Sequence, residues 1–176
     1  MKQKMTSRTT YDYILYVDVV DSSKNELDVN RQIFKMNAFN MILREILQHS
    51  ITYDFTKKWN IAYKASTVDD AVLCSRDPTD PFVLSIMLHT QLHGYNEKMS
   101  KDLEKIQVRI GISGGETMTA TDYDGKTKAP WGSDMILAKR IMDKRTTNHI
   151  LSSEQVAQQV RQLNTGYKFI DMGAWR

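Results

Sequence analysis

Hydrophobic and polar positions divide the chain into alternating strand-like and helix-like stretches. The run from Ile14 to Val17 is β-branched and aromatic, as suits a buried central strand, and it leads straight into Asp18, Asp21, Ser22, Ser23 and Lys24. Ile33, Met36, Phe39, Met41, Ile42, Ile46 and Leu47 then recur at helical spacing, predicting a helix of about 18 residues capped by Asp28 or Asn30. Residues 65–74 read as two short strands around a tight turn at Asp69 and Asp70. Asp80 followed by Pro81 marks the start of a second helix, whose buried face is predicted from Val83, Leu84, Ile86, Met87, Leu88, Leu92, Tyr95 and Met99.

Ile106 to Ser113 alternates as a half-buried strand, and Gly114-Gly115 marks a sharp turn or a close backbone approach. Thr119 to Ala129 is polar and reads as an exposed excursion. Ser133 is the expected cap of a third helix with Met135, Ile136, Leu137, Ala138 and Ile141 as its apolar positions. Ile150-Leu151 is a short strand, Ser152 with Gln155 a capping box, and Val156, Val160 and Leu163 the inward face of the helix that follows. Tyr167 to Ile170 is predicted as a last strand. Residues 1–10 are a loose, basic and polar lead-in, and residues 11–176 form one domain. The order of elements predicts an α+β, ferredoxin-like arrangement: a central, mostly antiparallel sheet with flanking helices.

Composition adds bounds. The chain has 176 residues, 41% hydrophobic and 26% charged, ordinary for one globular domain. A net charge of +3 without a basic block gives no footprint for nucleic acid. No apolar run is long enough to span a bilayer, and no signal peptide is recognisable. The lone Cys74 fits a reducing cytoplasm and, set in an apolar strand, reads as a buried structural thiol.

The chemistry concentrates at the two acidic strand ends. Buried carboxylates are costly unless compensated, and an oxygen-seeking cation such as Mg²⁺ or Mn²⁺ compensates them. Converging strand-end aspartates suit a two-metal site for phosphoryl or nucleotidyl transfer. The plainer reading is that Asp18 ends a strand while Asp21 and Ser22 cap a turn. His89 and His93, four apart, read as solvated or packed residues in preference to metal ligands.

The chain resembles the catalytic domain of class III nucleotidyl cyclases, the adenylyl and guanylyl cyclase family, from about Tyr11 to Gly173. The motifs are YVDVV around Asp18, Thr67-Val68-Asp69-Asp70-Ala71-Val72, Val108 to Glu116, Trp131-Gly132 with Leu137 to Ile141, and His149 to Glu154. The resemblance implies Asp18, Asp70 and the backbone carbonyl of Val19 as ligands to two Mg²⁺ or Mn²⁺ ions. It implies phosphate contacts from the backbone of Val20, Asp21, Ser22 and Ser23, and a catalytic arginine at Arg140. It further implies a head-to-tail homodimer with active sites at the subunit interface, Thr119 to Ala129 forming part of its arm. Lys168 and Arg176 are the candidates for the family's C-terminal phosphate-binding lysine.

Three positions depart from the pattern. Ser66 stands where purine cyclases carry a base-reading lysine, Ala129 where adenylyl cyclases carry an aspartate, and Ile136 where the family orients the ribose with an asparagine. A changed base-reading set implies a changed base. The closest resemblance is therefore to the pyrimidine cyclases of Pycsar anti-phage systems, which make cyclic UMP or cyclic CMP for an effector reached through the product. Tyr63, Lys64 and Trp59 are the local candidates to fill the space beside a smaller base. The alternatives are an adenylyl cyclase that reads its base differently and an inactive nucleotide-binding or dimerisation domain.

Overall fold

The structure, a computed structural model, describes residues 9–20, 29–48, 59–66, 69–121, 128–144 and 147–173. In chain order the elements are β1 (Thr9–Val19), α1 (Val29–Gln48), β2 (Ile61–Ser66), β3 (Asp70–Ser75) and α2 (Asp80–Asn96). They are followed by β4 (Val108–Thr121), β5 (Lys128–Trp131), α3 (Ser133–Met142), β6 (Ile150–Ser152) and α4 (Glu154–Gln162). One sheet runs β2-β3-β1-β4-β5, with β6 also on β4. All ladders are antiparallel except β4 with β6. The expected α+β architecture is the one found.

Strand alternation sends successive side chains to opposite faces. Leu15, Val17 and Val19 join Leu73, Val108, Ile110 and Ile112 under α1, α2 and α4 in the main core. Ile14 and Cys74 turn the other way and meet Ala138 of α3. Helix α3 lies close on the sheet because β4 has Gly111 beneath it. A Cβ at Gly111 would come within 2.3 Å of the Ala138 carbonyl oxygen and 2.5 Å of the Met142 nitrogen.

Several sequence expectations shift. β1 begins at Thr9, ahead of the expected Ile14–Val17 run and within the stretch expected to be a loose lead-in. The buried stripe of α1 is Lys35, Met36, Ala38, Phe39, Ile42, Leu43 and Ile46, while Ile33 and Met41 are exposed. Lys35 enters that stripe by laying its stem inward and donating from Nζ to the Val20 carbonyl at 3.4 Å. On α2, Ile86 is exposed and Phe82 and Ser85 are buried instead.

Asp80 does not cap α2; Thr79 is the N-cap residue. The Asp80 carboxylate accepts from Ser75 Oγ at 2.6 Å and from the Asn60 amide at 2.9 Å, tying β2 and β3 to the helix start. Gly132, not Ser133, is the N-cap of α3, and Ser153, not Ser152, that of α4; neither makes a side-chain capping bond. Leu163 is exposed just beyond α4.

The excursion predicted at Thr119 to Ala129 is partly a hairpin, since β4 continues to Thr121 and pairs with β5. Tyr167 to Ile170 is not a strand. Its alternation has another origin: Tyr167 and Phe169 pack their rings on Phe82, at centroid distances of 6.1 and 5.3 Å. No described helix is long and apolar enough to cross a membrane.

Candidate active site

The sheet register brings the two acidic strand ends together. Asp18 is the direct cross-strand partner of Asp70 on β3 and of Arg109 on β4, so all three project from the α3 face. The end of β1 is pinned further by its backbone. The Val19 amide donates to the Asp69 carbonyl at 3.0 Å and the Val20 amide to the Gln107 carbonyl at 2.9 Å.

Arg109 holds Asp18 through two donors, Nε at 2.7 Å and Nη2, both to Oδ2. From α3, Lys139 reaches Asp70, with Nζ 3.7 Å from Oδ2. Burial raises the Asp70 carboxyl above the usual carboxylate range, and its hydrogen bond with Asp18 raises it further, while Lys139 opposes the shift. Tyr16 sits in the same group; burial raises its hydroxyl, and Lys139 pulls it back. Among the described residues, two carboxylates therefore share a small space with two cations and a phenol at the ends of the central strands.

Asp18 and Asp70 supply hard oxygen donors side by side, and a carboxyl raised by burial and by a like-charged neighbour is the condition a divalent cation relieves. The pair fits Mg²⁺ or Mn²⁺. Among the described residues no group of three His, Cys, Asp or Glu converges, so further ligands to such an ion would be water, backbone or substrate oxygens.

The remaining sequence candidates scatter. Val19 follows Asp18 on β1 with its side chain in the main core, a placement that does not bear on the role expected of its backbone carbonyl. The Val20 amide, expected in a phosphate cradle, is spent on Gln107. Asp21, Ser22, Ser23 and Arg176 lie outside the described residues. Tyr63 packs beside Tyr16 on the α3 face. Lys64 and Ser66 have the opposite parity and line a groove of about 740 Å³ with Asn37, Met41 and Arg44 of α1. Within one protomer they do not meet Asp18 and Asp70. Trp59 packs on the main core and donates from Nε1 to the Ile46 carbonyl at 3.3 Å. Arg140 and Ile136 are exposed on α3, Ala129 is half-buried on β5, and Lys168 is exposed after α4. Sequence reasoning missed Arg109 and Lys139 as members of the site. The signal for Arg109 was its place one residue into a strand that pairs with β1.

The same fold occurs in solved nucleotide cyclase domains. A bacterial light-regulated adenylyl cyclase superposes with a TM-score of 0.77 at 15% identity, over 96% of this chain and 86% of that one. The guanylyl cyclase Cya2 gives 0.72 at 16% identity, over 86% and 79%. The guanylate cyclase domain of RhGC from Catenaria anguillulae, solved in complex with GTP, gives 0.66 at 14% identity, over 88% and 84%. No protein-family model and no curated protein matches the sequence. The chain thus has the cyclase-domain fold, with an acidic pair at the end of its central strand.

Proposed function

We propose that this chain is a divalent-metal-dependent nucleotidyl cyclase and that its substrate is a pyrimidine nucleoside triphosphate, UTP or CTP. The observation that carries the reading is the cross-strand placement of Asp18 beside Asp70, with Arg109 on the same face. In the reaction the substrate's ribose 3′-oxygen bonds to the α-phosphorus, the bond from that phosphorus to the bridging oxygen breaks, and pyrophosphate leaves as the hydroxyl proton passes to solvent. Bound metal would neutralise the triphosphate and polarise the α-phosphate. Asp18 and Asp70 would hold it, and Arg109 would set a fixed cation beside the phosphates. The rest is positioning.

Arg140 is exposed on α3, as a side chain that stabilises the α-phosphate of a partner subunit's substrate must be. A head-to-tail homodimer with two equivalent interface sites follows from that division of labour. Pyrimidine preference is supported by Ser66 and Ala129, neither of which can supply the charged reading of a purine. An anti-phage role for the product rests on the resemblance to Pycsar enzymes.

The test is incubation of the purified chain with Mn²⁺ and each of ATP, GTP, CTP and UTP, with products identified by mass. Cyclic UMP or cyclic CMP alone, lost in Asp70→Asn, is the expected result. Product from ATP would overturn the pyrimidine reading. No product from a folded dimer with any of the four would overturn the enzyme reading in favour of a binding domain.

A further inference from the structure

Asp18 and Asp70 each lie against a cation of their own protomer, and the two cations are held differently. Arg109 comes from the adjacent strand, is three-quarters buried at 25% side-chain exposure, and makes two donations to a carboxylate exposed by only 10%. Lys139 comes from α3, is half exposed at 51%, and approaches Asp70 at 3.7 Å, beyond hydrogen-bond length. The first contact is a rigid fork, whereas the second is a mobile ammonium on a four-carbon stem. The Lys139 ammonium is the α3 cation that lies beside Asp70. It contributes positive charge at the point where the acidic pair is most crowded.

We propose that Lys139 competes with a divalent cation for Asp70, so that its ammonium sets how much metal the acidic pair needs before it is occupied. This rests on the reading of Asp18 and Asp70 as metal ligands. A compact, loosely held ammonium can swing away, because its half-exposed stem has solvent to enter, and α3 need not move. Arg109 cannot yield in the same way, since releasing it would strand the buried Asp18. Of the two cations beside the pair among the described residues, Lys139 is the more readily displaced. The strength of the competition is that of a partly exposed ion pair at about 0.2–1 kcal/mol, which corresponds to roughly 1.5- to 5-fold in metal affinity.

The test is a Mn²⁺ titration of the full chain without nucleotide, reading free Mn²⁺ by electron paramagnetic resonance. Lys139→Met is expected to bind Mn²⁺ about 1.5- to 5-fold more tightly than the parent chain, with the gap narrowing as salt is raised. Lys139→Arg, which keeps the charge, should stay near the parent value. Equal or weaker binding in Lys139→Met overturns the proposal. Asp70→Asn separates the two layers of inference. If Mn²⁺ binding drops in Asp70→Asn while Lys139→Met is unchanged, the competition falls and the metal site stands. If Asp70→Asn binds Mn²⁺ like the parent chain, the metal reading falls and the competition with it.

Discussion

Arg109 and Asp18 face one another across β4 and β1, and the Arg109 Nε lies 2.7 Å from Asp18 Oδ2, in a contact spanning 91 positions of sequence. The residue Asp18 is 7% exposed, and Arg109 is the cation that compensates its burial. Arg109→Ala should cost about 2 kcal/mol of stability, the scale of a lost charged hydrogen bond that leaves its partner unpaired. Asp18→Asn relieves the unpaired charge, so the double variant should recover part of the loss. Urea denaturation of the two single variants and the double one measures this coupling.

Two glycines of β4 should respond unequally to the same small change. At Gly115 an added Cβ meets the Asp134 carboxylate at 1.9 Å, and that side chain can rotate away at the expense of its 3.0 Å bond from Ser113 Oγ. At Gly111 the obstacle is backbone of α3, which cannot rotate away. Gly115→Ala is expected to cost about 1 kcal/mol and Gly111→Ala about 3 kcal/mol. Because α3 carries Lys139, only Gly111→Ala should also change Mn²⁺ affinity. Thermal melts with a Mn²⁺ titration on each variant check the pair of outcomes.

His89 gives the fold a pH dependence. Burial lowers its imidazole, with His149 nearby adding to the effect. The folded chain therefore prefers it neutral, and the unfolded chain binds its proton first as pH falls through about 6.5. Stability from this group is fully present above that value and is lost on acidification, until the lower folded value is passed. His89→Gln should flatten the fall in the urea midpoint between about pH 7 and pH 5. An unchanged slope would show that other groups carry it.

Cys74 should be inert in the folded chain. It is fully buried, and burial pushes its thiol up to about 12, so almost no thiolate is present at neutral pH. Iodoacetamide at pH 8 is expected to leave it unmodified until denaturant is added. Mass measurement before and after unfolding decides this.

The acidic strand ends were legible because a buried apolar run that stops at an aspartate states its own anomaly. Their pairing followed from β1 and β3 being neighbours. Arg109 and Lys139 were not legible in the same way. Arg109 belongs to the site through β1–β4 register, and Lys139 through the seating of α3 over Gly111, neither of which leaves a local mark. The α1 stripe went astray for a related reason. Hydrophobicity ranked Ile33 and Met41 above Lys35 and Ala38, but which side of a helix is covered depends on what packs there. At Tyr167 to Ile170 alternation reported one-sided aromatic packing, a pattern that strands and unpaired extended chain share.

β4 runs unbroken for fourteen residues, with Arg109 near its start and the β5 pairing from Met118 onward. Its central glycines are not hinges: Gly114 and Gly115 are laddered to Tyr13 and Asp12, and Val156 and Asp134 crowd them from opposite sides. The nine residue steps from Arg109 to Met118 form a stiff rod of roughly 30 Å. Whatever grips the β4–β5 hairpin therefore takes hold of the same girder that carries Arg109. An assembly partner at the far end would set the aim of the guanidinium by leverage, without touching it.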